Sequence, residues 1–146
     1  MEPAGDKECM NDIRAIFFDF DDTLGDRESY AYDCYRAILE ENTQIGDPVE
    51  FEAIVQDCMI WDEKGNCNKR HVAEMLRKNY GIELPYENFH AYWDTRLWQF
   101  AHPYTETREV LEELKKRYII GIITNGPSDG NHFRGDSSGI YSNVYW

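Results

Sequence analysis

The chain has 146 residues, of which 42% are hydrophobic and 14% aromatic, a composition that suits a folded domain with a sizeable core and not a disordered protein. Its formal net charge is −13 at pH 7, so it lacks the excess of Lys and Arg that nucleic acid or an anionic membrane surface would need. An anionic substrate would be repelled at long range, and a phosphate site would need a divalent cation to reverse the local sign of charge.

The N-terminal segment and the cysteines indicate the cellular compartment in which the protein is located. Residues 1–11 are polar and acidic, unlike a signal peptide, and no apolar run approaches membrane-spanning length. The chain has four cysteines without a C-x-x-C pair: Cys9, Cys34, Cys58 and Cys67. His71 lies close to the last of them, but no second pair has zinc-ligand spacing. We therefore expect a cytoplasmic protein with reduced thiols and no zinc.

The first predicted element is a β-strand that begins at Ile13. Its nearly continuous apolar run is typical of a strand buried on both faces of a parallel sheet, and it ends in Asp19, Asp21 and Asp22. The carboxyl ends of parallel strands form the ligand-binding edge of an open α/β sheet, so we expect Asp19 and Asp21 to share a cation there. An alternative interpretation is that Asp22 and Thr23 cap a following helix.

Between Gly25 and Pro103, apolar residues recur at the spacing of α-helices, and no strand is predicted. The predicted helices cover residues 27–42, about 49–60, 69–80 and a stretch opened by Pro85. Gly81 is predicted to end the third helix. Apolar stripes on these helices, including an aromatic stripe on the fourth, indicate helices that pack together. His102 and the two residues after it are predicted to form the return hinge.

A helix and a second strand follow the hinge. Residues 105–117 predict an amphipathic helix with Val110, Leu111 and Leu114 facing inward, and residues 119–124 predict another buried strand. Together with the first strand they form a βαβ unit, with the helices inserted in its connection and a right-handed crossover. The residues that end the second strand are Thr124, Asn125 and Gly126, and the last two are alternatively a simple tight turn.

Two segments carry a resemblance to a known family. Residues 17–24, FFDFDDTL, resemble the first motif of the haloacid dehalogenase (HAD) superfamily, and residues 119–126, IIGIITNG, resemble its second motif. The resemblance covers about residues 12 to 128 and implies an α/β fold, a Rossmann-like parallel sheet with an inserted α-helical cap of the subfamily I type. Residues 1–25 and 103–146 would form a partial core, and residues 26–102 a cap that closes over the site.

The resemblance also implies a chemistry, that of a Mg²⁺-dependent phosphatase. Asp19 would be the nucleophile that forms an aspartyl-phosphate, and Asp21 the general acid and then base. Both would hold Mg²⁺, Asp21 through its backbone carbonyl. Thr124, with the N–H groups of Asn125 and Gly126, would bind the phosphoryl group. A 2-haloacid dehalogenase is the less favoured alternative, because that branch generally lacks an acid at the position of Asp21.

The substrate implied is a small phosphorylated metabolite, with sugar phosphates, phosphoglycolate and nucleotides all open. The oligomeric state is open as well. Four side chains of the predicted cap are candidates for the pocket wall, with the protein surface or helix contacts as the alternative: Trp61, Arg70, Arg96 and Trp98.

Two features of the family pattern are missing, namely a lysine after the second motif and a further acidic motif. The last lysine, Lys116, precedes the second motif, and Asp136 lies only 12 residues after Thr124, where an Asx-type turn is the simpler interpretation. Residues 127–146 show no period long enough for further βα units. A sheet without its flanking strands predicts marginal stability. The alternative function is therefore a C-terminally incomplete, catalytically impaired relative that at most binds phosphate, metal or a partner.

Overall fold

The structure is a computed structural model that describes residues 13–124 and 140–141. Its mixed α/β architecture agrees with the predicted fold class. None of the described helices combines the length and apolar character that a bilayer crossing requires. The elements in chain order are β1 (Ala15–Phe18), α1 (Arg27–Asn42), α2 (Pro48–Asp62), α3 (Lys69–Tyr80), α4 (Tyr86–Phe100), α5 (Thr107–Leu114), β2 (Ile119–Ile123) and β3 (Ile140–Tyr141), with a 3₁₀ turn over Glu63–Gly65.

The sheet has the strand order β1-β2-β3. β1 and β2 are parallel, as predicted, and Phe18 lies opposite Ile122 at their carboxyl ends. β3 pairs antiparallel with β2, with Ile140 opposite Ile123. Our prediction of only two strands was wrong, because a strand of two residues has no hydrophobic period that a sequence can reveal.

The two faces of the sheet differ in burial. Ile120 and Ile122 pack on one face against Leu111 of α5. On the other face Phe17 is 50% exposed and Ile119 64% exposed. The prediction of a first strand buried on both faces was therefore wrong within the described residues, because α5 covers one face only.

Helix α5 also corrects a detail of the predicted inward face. Leu111 is buried and Leu114 is packed against the same cluster, as predicted, but Val110 is 52% exposed. The helix has only eight residues, and a single stripe through Thr107 and Leu111 contacts the core. Val110 lies beside that stripe and faces solvent.

Helices α1 to α4 pack around their own hydrophobic cluster. The predicted stripe on α1 is buried, and Phe89 and Trp93 of α4 pack in the same cluster. The predicted stop of α3 is confirmed, because Gly81 has a left-handed backbone with φ of 66°. The buried stripe residues of α1 are Ala31, Cys34, Tyr35 and Ile38.

The chain enters and leaves the helical segment through adjacent backbone. Gly25 forms an isolated antiparallel bridge with Pro103. The N–H of Tyr104 donates to the carbonyl of Leu24 at 2.9 Å. A Cβ added to Gly25 would lie 2.7 Å from Cε1 of the buried Phe20 ring, so only glycine fits at this entry point.

Candidate active site

The loop after β1 is folded around one backbone carbonyl. The carbonyl of Phe20 accepts hydrogen bonds from the N–H groups of Thr23, Leu24 and Gly25, at 3.3, 2.9 and 2.9 Å. The N–H of Asp22 donates to the carbonyl of Gly25 at 2.8 Å. Asp22 has a left-handed backbone with φ of 58°, a conformation in which aspartate is enriched. Backbone bonds therefore set the shape of this acidic turn.

Helix α1 is capped by a different residue from the two considered in the sequence. The carboxylate of Asp26 accepts hydrogen bonds from the N–H and the hydroxyl of Ser29, at 3.2 and 2.7 Å. These bonds lower the pKa of Asp26. The interpretation of Asp22 and Thr23 as helix caps was therefore wrong.

Asp19 and Thr124 occupy equivalent places on neighbouring strands. Asp19 directly follows β1 and Thr124 directly follows β2, and the parallel register brings both strand ends to the same edge of the sheet. Asp19 is exposed, and no residue in 13–124 or 140–141 forms a hydrogen bond or ion pair with its carboxylate. Asn125 and Gly126, predicted to share the phosphate with Thr124, lie outside the described residues.

Asp21 has a partner that the sequence did not reveal. The hydroxyl of Tyr30, on α1, donates a hydrogen bond to Oδ1 of Asp21. Tyr30 is only 2% exposed, and this burial, together with the bond to Asp21, raises the pKa of its phenol. Tyr30 therefore stays a neutral donor. The backbone carbonyl of Asp21 accepts no hydrogen bond from the described part of the chain.

The donor atoms of the loop suit Mg²⁺ and do not suit zinc. Asp19 and Asp21 offer carboxylate oxygens, and the carbonyl of Asp21 is a further hard oxygen. Mg²⁺ is usually bound through one or two carboxylates, substrate phosphate and several waters, whereas a structural zinc site needs four nitrogen or sulfur ligands. Within the described residues, no three His, Cys, Asp or Glu side chains converge on one point. The loop thus fits a partly hydrated Mg²⁺.

A cleft of about 310 Å³ opens beside the loop. The loop contributes Asp22 to its wall, and the 3₁₀ turn after α2 contributes Glu63 and Lys64, both with left-handed backbone. The cleft therefore brings charges of both signs close to the acidic loop. The remaining lining residues are Arg27, Glu28, Gln56, Met59 and Ile60.

None of the described candidates for the pocket wall lines this cleft. Trp61 packs against the helical cluster, with its ring 6.3 Å from that of Tyr80. The guanidinium of Arg70 lies 4.2 Å from the ring centre of Tyr86. Arg96 forms an ion pair of 2.7 Å with Glu41 on the surface. The side chain of Trp98 is not among those described.

Arg27 of the cleft is held by a buried carboxylate that sequence reasoning also missed. Asp62, at the end of α2, is 0% exposed and forms an ion pair of 2.8 Å with Arg27. Its Oδ1 accepts hydrogen bonds from Tyr35, at 2.6 Å, and from Lys69. Burial acts to raise the pKa of Asp62, but the two cations and Tyr35 outweigh it and lower that pKa. This residue is therefore a charged anchor behind the cleft wall.

A family model and several known proteins are similar to this chain. The model of the family described as haloacid dehalogenase-like hydrolase matches residues 13–142. A glyceraldehyde 3-phosphate phosphatase of Pyrococcus abyssi is 33% identical over 122 residues, covering 78% of this chain and 50% of the relative. One of Methanothermobacter thermautotrophicus is 31% identical over 119 residues, covering 78% and 52%. The chain thus spans about half the length of these relatives.

A solved structure is also similar. It is that of a predicted phosphoglycolate phosphatase from Haemophilus somnus 129PT, which is 22% identical and has a TM-score of 0.49. The match covers 82% of this chain and 54% of that chain. Since the family model spans both motifs and the whole parallel strand pair, the chain belongs to the haloacid dehalogenase-like hydrolases.

Proposed function

We propose that this chain carries the nucleophilic half of a phosphomonoester hydrolase. One observation carries the proposal: Asp19 and Thr124 follow the ends of two adjacent parallel strands, and the carboxylate of Asp19 is exposed and unpartnered among the described residues. A nucleophile needs a carboxylate that no structural bond occupies, next to a group that can orient the phosphate.

The reaction would proceed in two steps. A carboxylate oxygen of Asp19 attacks phosphorus, the bond from phosphorus to the ester oxygen breaks, and Asp21 gives its proton to the leaving alkoxide. Water then attacks the aspartyl-phosphate while Asp21 takes a proton from it, and phosphate leaves as the Asp19 carboxylate is restored. The presence of an acid at Asp21 favours phosphatase over dehalogenase, because a halide leaves without protonation.

The phosphoryl group needs positive charge, since the loop and the whole chain are acidic. Asp19 and Asp21 would hold Mg²⁺, which when bound neutralises charge between the loop and the phosphate. The hydroxyl of Thr124 and the N–H groups of Asn125 and Gly126 would donate to the phosphoryl oxygens.

The helical segment would complete the site as a cap. We assign residues 26–102 to the cap and residues 1–25 with 103–146 to the partial core, in a cytoplasmic enzyme. The cleft with Arg27 and Lys64 supports substrate contact from the cap side. The relatives named glyceraldehyde 3-phosphate phosphatase favour a small phosphorylated metabolite as substrate.

A second candidate is binding of metal or phosphate without turnover. It is favoured by one observation: among the described residues, no three His, Cys, Asp or Glu side chains form a group that could hold a metal ion. Two carboxylates alone could hold a partly hydrated cation without turnover.

Hydrolysis of p-nitrophenyl phosphate with Mg²⁺, and with excess EDTA, tests both candidates. The enzyme predicts Mg²⁺-dependent turnover that Asp19→Asn reduces to background. Asp94→Asn is the matched control, because Asp94 lies on α4 in a surface pair with His90 and should leave turnover unchanged. Turnover that survives Asp19→Asn contradicts the proposed nucleophile. No turnover, with Mg²⁺ or phosphate binding detected by calorimetry, identifies the second candidate.

A further inference from the structure

We propose that Tyr30 is a positioning residue that holds the carboxylate of Asp21 in one orientation. The inference about orientation stands on the structure, and its consequence for catalysis rests on the proposed function. The hydroxyl of Tyr30 donates to Oδ1 of Asp21, nine residues earlier in the chain and in a different element. This is a side-chain contact between α1 and the acidic loop.

The position of the hydroxyl is fixed by the packing of its ring. Tyr30 is 2% exposed and belongs to the same buried cluster as Phe20 and Leu24. The rings of Phe20 and Tyr30 lie 6.4 Å apart at an angle of 34°. Because Phe20 precedes Asp21 and Leu24 follows it, the cluster that buries the ring includes loop residues on both sides of the carboxylate that Tyr30 binds.

The backbone of Tyr30 is tied to the same region. Its N–H donates to the carbonyl of Asp26, the residue that caps α1, at 3.2 Å. The first turn of α1 therefore fixes the position of the phenol hydroxyl relative to the loop. Because both the ring and the backbone of Tyr30 are fixed, its hydroxyl cannot follow movements of Asp21. The hydrogen bond therefore restrains the carboxylate of Asp21.

This arrangement divides the oxygens of Asp21 among different tasks. Tyr30 occupies Oδ1, while Oδ2 accepts no hydrogen bond from the described part of the chain. The backbone carbonyl of Asp21 is a third oxygen, and it accepts no hydrogen bond from the described residues. Oδ2 is thus the oxygen left for the proton that passes to the leaving group and returns from water. A loss of orientation of this group by about 1 Å would cost up to about a hundredfold in rate.

A second pair in the chain provides a matched control. The hydroxyl of Tyr80 donates to Oδ2 of Asp57 at 2.5 Å, joining α3 to α2 away from the acidic loop. Tyr30→Phe and Tyr80→Phe each remove one oxygen and one tyrosine–aspartate hydrogen bond. Only the first removes a bond to the acidic loop.

The experiment combines kinetics with a rotamer measurement. For Tyr30→Phe we expect kcat to fall about tenfold to a hundredfold with KM within about twofold, assayed well below the melting temperature. Tyr80→Phe should leave both constants unchanged. In ¹³C,¹⁵N-labelled full-length chain, three-bond couplings to Cγ of Asp21 should report one χ1 rotamer in the wild type and averaging in Tyr30→Phe.

The outcomes separate this inference from the proposed function. If the wild type has no turnover, the proposed function fails, and the couplings alone decide whether Tyr30 fixes Asp21. Averaged couplings in the wild type overturn the inference even if the variant does not fold. It is equally overturned if Tyr30→Phe retains one rotamer and an unchanged kcat.

Discussion

Asp62 and Asp19 are the same residue type in opposite environments. Asp62 is 0% exposed and bound by two cations, Arg27 and Lys69, and by the hydroxyl of Tyr35. Asp19 is exposed, and none of the described residues bonds to its carboxylate. Both carboxylate oxygens of Asp62 are bonded within the fold, whereas neither carboxylate oxygen of Asp19 has a bond to the described residues.

The difference shows which carboxylates a fold can use for chemistry. A buried carboxylate must be paired, because an uncompensated charge in the interior is costly, and its partners then fix the elements that carry them. A carboxylate at the end of a parallel strand needs no such partner, because solvent or a ligand can stabilise it. The following substitutions test this contrast, from the largest expected effect to the smallest.

Asp62→Ala should cause the largest loss of stability. It leaves the cations of Arg27 and Lys69, each 11% exposed, without their partner, and removing one partner of a buried pair costs about 3–5 kcal/mol. Denaturant unfolding measures the loss. Asp94→Ala, which breaks a partly exposed pair with His90, should cost less than about 1 kcal/mol. If the two variants lose equal free energy of unfolding, a buried carboxylate contributes no more to stability than one at the surface, and the contrast is wrong.

Gly25→Ala should be the next most destabilising change, and it acts on the acidic loop. The new Cβ would lie 2.7 Å from the buried ring of Phe20 and 3.4 Å from the carbonyl of His102. Overpacking of this kind costs about 1–3 kcal/mol. Gly46→Ala is the control, because no atom lies within 4 Å of its added Cβ. A melting temperature unchanged by Gly25→Ala would contradict the close packing at the entry point.

Acid should weaken the contribution of Asp62. Its pKa is lowered in the folded chain, so its stabilising effect is fully present above the unfolded pKa of about 3.9 and is lost as the pH falls through the folded pKa. Asp62→Asn cannot titrate. The difference in free energy of unfolding between wild type and Asp62→Asn should therefore be constant above about pH 5 and shrink below about pH 4. A difference independent of pH down to about pH 3 would contradict the lowered pKa.

Asp19→Asn should have the smallest effect on stability. Its side chain is exposed and unpartnered among the described residues, so the free energy of unfolding should change by less than about 0.5 kcal/mol. The same variant removes turnover if the proposed function is correct. A large loss of stability would place Asp19 with Asp62 as a structural residue.

Much of the fold could be predicted from local patterns. The helices Arg27–Asn42 and Lys69–Tyr80 have the predicted bounds, because each has a long apolar stripe and the second ends at a glycine. The parallel strands were visible as apolar runs. Burial of individual faces was not visible, since the exposure of Phe17 depends on which helices cover the sheet and not on the strand itself.

The candidate site was predictable to the extent that it lies within motifs. The positions of Asp19 and Thr124 at adjacent strand ends followed from the expected βαβ unit. Tyr30 and Asp62 were missed, because their partners are distant in the sequence and no period marks a hydroxyl or carboxylate that will meet them. Asn125 and Gly126 lie outside the described residues, so their predicted role stays a prediction.

The pairing of Gly25 with Pro103 has a consequence for protein engineering. Since the chain returns to the point that it left, a short turn in place of residues 26–102 would preserve the path from β1 to α5 and β2. A foreign helical insert with similarly spaced termini is also compatible with these two junctions. If the proposed function is correct, chimaeras built at Gly25 and Pro103 would exchange the segment that selects the substrate, and their inserts would need a hydroxyl that replaces Tyr30 at Asp21.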